Sequence, residues 1–514
     1  MTKDLAKKSL FQKFLDGIEI VGNKLPHPVT LFLLLAFITA ILSHIYFLLG
    51  ASVTYMTAAG EITARATSLL TREGISYIFT SAVSNFTNFA PLGTVLVAML
   101  GVGAAEQVGL ISTVLRKVVL STPKTFITAI IVFAALMSSI ATDAGYVVII
   151  PLGAAVFYAL GRHPIAGLAA AFFGVSGGFS ANIIITPLDA ILSNISTEAA
   201  RILDPTVSVP ITANWYFLMV STIVITIVGT IITEKVVAPR LGVYNKADGA
   251  VIDTGVSMEI TDVEKRGLRF AGLFLLGSVI LILALLLPPN APLRNAETGA
   301  MFTGSPFMAS IVFIIMVIFL FMAIGYGIGT GVIKNDKSVV DAMTKSMSSM
   351  GSYLVLAFFS AQFINYFNYS RLGIIVSVNG ANFLESIGFR GVPLILSFIL
   401  LTMFLNLFIG SASAKWVIMA PIFVPMFMHL GYDPAFTQVL YRIGDSLTNI
   451  ITPTMAYFAL IVVFAEKYDK KAGIGTIIAT MLPYTIIVGI VWTLLIIIWY
   501  LIGLPLGLGG NIYI

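Results

Sequence analysis

Arg442 and Asp445 lie three residues apart inside an otherwise apolar run, so a helix would carry both on one face. Asp189 follows Thr186-Pro187-Leu188 in a second apolar run, and Asp143 and Lys415 stand in two short stretches rich in Ser, Ala and Gly. A charge inside hydrocarbon is costly unless paired or hydrated, which makes each of these five a candidate for function. Arg442 and Asp445 can pair with each other. Alternatively, Arg442 holds a substrate carboxylate with two parallel hydrogen bonds, and Asp445 carries a proton or helps bind a cation. Asp189 is either a coupling or substrate residue or a helix cap. Pro187 and Pro453 each remove a backbone donor and interrupt a helix. The freed carbonyls, with Asn182, Thr186, Asp189, Asn449, Thr452 and Asp445, form a donor set suited to Na⁺. Ser411 and Ser413 can hydrogen-bond an anion at a helix N-terminus. Trp416 can stack on an aromatic ring or anchor at the membrane interface.

Such residues need elements that hold them away from lipid. Of 514 residues, 58% are hydrophobic and 10% charged, against about 25% charged in soluble domains. The composition predicts an integral membrane protein, all-α, with about nine spans and two re-entrant hairpins. A span needs about 20 apolar residues. Plain spans are read near 29–49, 78–100, 215–232, 270–287, 308–328, 350–367 and 474–501. The stretches 125–160 and 393–430 are longer than one crossing requires and are broken in the middle, which predicts hairpins. Non-helical backbone at that depth is tolerated only where protein or a water-filled cavity surrounds it. The stretches 164–195 and 434–464 are spans interrupted at Asn182–Asp189 and Asn449–Pro453.

The halves repeat. With a shift of 270, seven of the 21 positions in Ala144–Pro164 match Ala414–Pro434, among them Pro151/Pro421, Gly161/Gly431 and Pro164/Pro434. Asn182-Ile-Ile-Ile-Thr186-Pro187 then echoes Asn449-Ile-Ile-Thr452-Pro453 after a drift of four residues. The expected organisation is a segment 1–28, a first half 29–235, a basic loop 236–269 and a second half 270–514. Inverted repeats with interrupted helices point to a substrate site at the bilayer midplane.

The net charge of +5 reflects Lys and Arg gathered in short loops and no basic domain, so no nucleic-acid partner is expected. These loops place the N-terminus, read as an amphipathic surface helix, and the 236–269 loop in the cytoplasm, and the C-terminus outside. The chain has no cysteine, and His27, His44, His163 and His429 form no ligand cluster. No resident metal or cofactor is therefore expected apart from candidate Na⁺. Gly174-Val-Ser176-Gly177 matches a motif of some intramembrane serine proteases. It lacks an adjacent base and suits close helix packing, so the chain is not read as an enzyme.

Several motifs together resemble the aminobenzoyl-glutamate transporter (AbgT) family: Gly22-Asn-Lys-Leu-Pro-His27-Pro, the Ser138–Pro151 hairpin, Thr186-Pro-Leu-Asp189, Gly410-Ser-Ala-Ser-Ala-Lys-Trp416 and Tyr441-Arg-Ile-Gly-Asp445 with Ile451-Thr-Pro453. The resemblance spans nearly the whole chain. It implies a homodimer in the bacterial inner membrane, ion-coupled by H⁺ or Na⁺. The implied substrates are p-aminobenzoyl-glutamate, p-aminobenzoate or sulfonamide antimetabolites, which some members export. The family's working positions fall on Asp189, Ser413, Trp416, Arg442, Asp445 and Pro453. A sodium-coupled dicarboxylate symporter is the alternative; it would gain nothing from Trp416.

Overall fold

A computed structural model describes residues 28–514 apart from 58–59, 141–144, 245–258, 303–304, 453–454 and 456. The N-terminal segment, part of the basic loop, Asp143 and Pro453 therefore lie outside the described residues.

Each of the nine predicted crossings coincides with a helix, a helix pair or a broken helix. The plain ones are Pro28–Leu48, Arg72–Thr87 continued by Ala90–Gln107, Trp215–Ile232, Asp262–Leu286, Ile311–Thr330, Gly351–Tyr369 and Ile474–Ile502. Among the described residues seven helices are long and apolar enough to cross a membrane, or nine if two bent pairs each count as one. One of the seven, Ala412–His429, is a hairpin leg. The broken helices are too short to qualify piece by piece.

The first hairpin runs out along Ile127–Met137 and back along Gly145–Ile149 and Ile150–Ala159. The second uses Val392–Asn406 and Ala412–His429. Each is followed by a broken helix. The first is Pro164–Phe172, extended by a wide turn to Gly177 and resumed at Pro187–Ala200. The second is Pro434–Thr448, resumed at Phe458–Glu466. The small residues read as packing residues do pack. A Cβ on Gly167 would meet the Gly153 carbonyl oxygen at 2.2 Å, so the returning hairpin leg and the broken helix touch backbone to backbone. Gly174 packs as closely on the outgoing leg, where a Cβ would meet the Ala135 Cβ at 2.4 Å and the Val132 carbonyl oxygen at 2.7 Å. Ser176 bonds the Tyr146 hydroxyl at 2.7 Å and faces Met455 Sδ, which leaves the protease-like motif without a histidine base.

The helix Trp215–Ile232 packs on the first hairpin and on Ile474–Ile502. Asp262–Leu286 packs on Ile311–Thr330, which in turn packs on Ala90–Gln107.

The polar stretch after the first span is an antiparallel strand pair, Ser52–Thr57 with Gly60–Arg65. Val53, Tyr55 and Ala64 alternate inward and bury against Ile374, Ile375 and Val378 of the helix Leu372–Ser386. Two six-residue strands and that 15-residue helix carry too short a pattern to stand out beside the spans.

The chain's last residues strap the turn between the second hairpin and the second broken helix. Asp433 N–H donates to the Ile512 carbonyl at 2.9 Å, and Ile514 N–H to that of Gly431 at 3.2 Å. Asp433 also caps the helix after it, accepting from Ala435 N–H at 2.7 Å. Burial pushes its carboxyl up to about 6 from an ordinary 3.8, against the two backbone donors that lower it. A raised folded-state value favours folding while the group is neutral. The contribution is complete below the ordinary carboxylate range and is lost as pH rises through about 6. Heat stability is thus expected to fall across that window by up to about 3 kcal/mol relative to Asp433→Asn, which stays neutral and can still cap. Melting curves of both proteins on either side of the window check this; parallel pH profiles would reject it.

Candidate functional site

The helix Pro434–Thr448 sets the site. Its sequence is amphipathic, with Gln438, Arg442, Asp445 and Asn449 recurring every three to four residues, yet all fifteen of its residues are buried. A polar stripe buried on every side must be answered by protein groups.

Two ion pairs answer it. Arg442 Nη1 lies 2.7 Å from Asp189 Oδ1, and Lys415 Nζ lies 2.6 Å from Asp445 Oδ1. All four side chains are at most 4% exposed. The intrahelical Arg442–Asp445 pair that the spacing allows does not form. The two residues reach in different directions: Arg442 to the first broken helix and Asp445 to the second hairpin. Lys415 stands in the interior rather than at the membrane interface. Each pair joins two of the four interrupted elements, as a buried charge requires a partner that another segment brings to it.

Asp189 is also the cap that its position after Pro187 suggested. Its Oδ2 accepts from Thr186 N–H at 2.6 Å and from the Thr186 hydroxyl at 2.7 Å, a capping box at the restart of the helix. Arg442 Nη2 donates to the Ser180 carbonyl within the break at 3.3 Å. Trp416 is fully buried and stacks on Tyr441 at 4.4 Å between centroids. Its indole N–H donates to Ser196 Oγ at 3.0 Å, and the Ser196 hydroxyl donates to Gln438 Oε1 at 2.6 Å. In this conformation the aromatic partner of Trp416 is a tyrosine of the protein.

Ser411 caps the helix Ala412–His429, and Ser413, one turn from Trp416, lines a small apolar pocket with Phe89, Ile191, Tyr353 and Ser360. Ser413 thus faces the seam with the helix Gly351–Tyr369, away from the ion pairs. Asn449 donates to the Ser176 carbonyl at 3.2 Å, and Thr452 bonds back to Thr448 O at 2.7 Å. Asn182 is 1% exposed, and neither of its amide atoms has a partner among the described residues. Asp143 and Pro453 fall outside those residues.

Sequence reasoning missed Asn406, at the end of the outgoing leg of the second hairpin. Its amide N–H groups reach Asp445 O at 2.7 Å, Thr448 Oγ1 at 2.9 Å and Asn449 Oδ1 at 2.8 Å. A lone asparagine in Leu405-Asn406-Leu407 was a detectable signal, because a polar residue at that depth needs partners. Tyr441, whose hydroxyl lies 3.3 Å from Asp445 Oδ1 and donates to Ala412 O, was also passed over as a site residue.

Comparison with known proteins agrees with the fold. A solved structure of the YdaH transporter of Alcanivorax borkumensis superimposes with a TM-score of 0.88 at 44% identity, over 94% of this chain and 100% of that one. One of MtrF from Neisseria gonorrhoeae, described as illuminating a class of antimetabolite efflux pumps, gives 0.90 at 45% identity, over 97% and 100%. The p-aminobenzoyl-glutamate transport protein of Escherichia coli K12 is 38% identical over 497 residues, 97% of this chain and 96% of that protein. The model of the AbgT transporter family matches residues 13–514, and the chain is a multi-pass membrane transporter of that family, not an enzyme.

Proposed function

We propose that this transporter moves p-aminobenzoyl-glutamate, p-aminobenzoate or related aromatic carboxylates across the bacterial inner membrane, coupled to H⁺ or Na⁺. The observation that carries the reading is a buried arginine beside an aromatic pair, Trp416 of the hairpin leg on Tyr441 of the broken helix, where a hairpin meets both broken helices. Arg442 suits a carboxylate. Trp416 and Tyr441 suit an arene, once the seam beside them opens. Asp189 and Asp445 suit a coupling cation. The name of the E. coli relative supports the substrate class, and the description of MtrF supports efflux of sulfonamide antimetabolites as a mode of use. No comparison supports a dicarboxylate symporter. In this reading the chain works as a homodimer in the bilayer, with the N-terminus cytoplasmic and the C-terminus outside. It needs no cofactor beyond Na⁺, if that is the coupling ion.

The test is flux of labelled p-aminobenzoyl-glutamate into proteoliposomes under separate Na⁺ and pH gradients. Saturable flux driven by one gradient and lost in Asp445→Asn is expected. Flux of labelled succinate that p-aminobenzoate fails to inhibit would overturn the substrate class.

A further inference from the structure

The two halves of the repeat hold different charges. In the second half Lys415 Nζ lies 2.6 Å from Asp445 Oδ1, also donates to Asn406 Oδ1, and stands 5.6 Å from the Tyr441 ring centroid. The lysine is 1% exposed. Asn449 Oδ1 accepts from Asn406 at 2.8 Å. Three side-chain oxygens that a Na⁺ could use here are therefore engaged. Of these groups Asp445 Oδ2 is left without a partner among the described residues, one donor where a hard cation takes several.

In the first half the shift of 270 puts Gly145 where Lys415 stands and Leu136 where Asn406 stands. Neither can supply an ammonium or an amide. Asn182, the counterpart of Asn449, and Ser180 are both buried, and Asn182 Oδ1, Asn182 Nδ2 and Ser180 Oγ have no hydrogen-bond partner among the described residues.

We propose that Lys415 is the resident cation of the second half-site: a covalently tethered ammonium that occupies the oxygens of Asp445 and Asn406, leaves Asn449 Oδ1 held by the Asn406 amide, and excludes free Na⁺ from them. A free coupling cation is then confined to the first half. Lys415 acts as a positioning residue, holding Asp445 and Asn406 in place with its three donors. The proposal builds on the ion-coupled reading above, and it halves the number of Na⁺ that a symmetric repeat would suggest.

The test uses the purified full-length protein without substrate and reads melting temperature against Na⁺ concentration, with K⁺ as control at constant ionic strength. A ligand that binds only the folded state raises the melting point with its concentration. Lys415→Gln is expected to acquire a Na⁺-specific rise beyond the parent's own, an increment that adding Asp445→Asn abolishes. Lys415→Arg, which keeps the charge, is expected to behave as the parent. A merely structural lysine would lower the melting point equally in Na⁺ and K⁺, so a Lys415→Gln protein with no new Na⁺ response overturns the proposal. Should Lys415→Gln not fold, Asn449→Ala decides. Its Na⁺ response must equal that of the parent, nil included, and a response lost with Asn449 overturns the proposal. Because no substrate is present, a failed flux assay leaves this result standing, and the reverse also holds.

Discussion

Arg442→Ala is expected to lower unfolding stability by about 3–5 kcal/mol, because it leaves a buried carboxylate without its partner. Asp189 would retain only the Thr186 N–H and hydroxyl, and the Ser180 carbonyl would lose its Nη2 donor. Transport should fall to background in the same protein. The informative companion is Asp189→Asn with Arg442→Met, which removes both charges at similar volume. Replacing a buried ion pair by neutral groups is often close to neutral for stability. The double variant should therefore regain most of the lost melting temperature while flux stays absent. That separation would assign the pair to transport rather than to holding the fold. A double variant as unstable as Arg442→Ala, or an Arg442→Ala protein with parental flux, would remove the pair from the mechanism.

Trp416→Ala should cost a comparable amount, about 3–5 kcal/mol, as a large buried ring is lost and its surroundings close only in part. The residue is 0% exposed and stacked on Tyr441. Trp416→Phe keeps the stack but removes the donor to Ser196, and the expected loss is roughly 1–3 kcal/mol. The two substitutions also separate packing from recognition. If the ring reads the substrate arene when the seam opens, Trp416→Phe should transport with a changed KM for p-aminobenzoyl-glutamate and a near-parental maximal rate. Equal KM values in parent and Trp416→Phe would leave the tryptophan a packing role alone.

Much of this was legible in the sequence because the membrane makes strong demands. Twenty-residue apolar runs, overlong stretches with polar centres and two interrupted helices each have one economical reading in a bilayer, and their helices stand among the described residues, although the first hairpin's centre and Pro453 lie outside them. The charged residues Asp189, Lys415, Arg442 and Asp445 were legible as candidates because a charge at that depth requires a reason. Who pairs with whom was not legible. Spacing on one helix made Arg442 and Asp445 look like partners, whereas long side chains reach as readily to a neighbouring element as along their own. The pairing follows from the seating of Pro187–Ala200 and Ala412–His429 against Pro434–Thr448, a long-range fact that no local pattern encodes. Asn406 was overlooked because it is a single uncharged residue in an apolar helix. The strand pair at Ser52–Arg65 was overlooked because six-residue alternations are weak signals in an apolar chain.

The enclosure of Pro434–Thr448 on all sides constrains the route of the cargo. Every residue of that helix is screened from the hydrocarbon, so a molecule dissolved among the acyl chains meets no opening onto the Arg442 guanidinium. The same burial shuts out water in this conformation, so cargo reaches Arg442 only when the elements packed on the helix part. An inhibitor that clamps those elements together would stop such a carrier without touching the guanidinium.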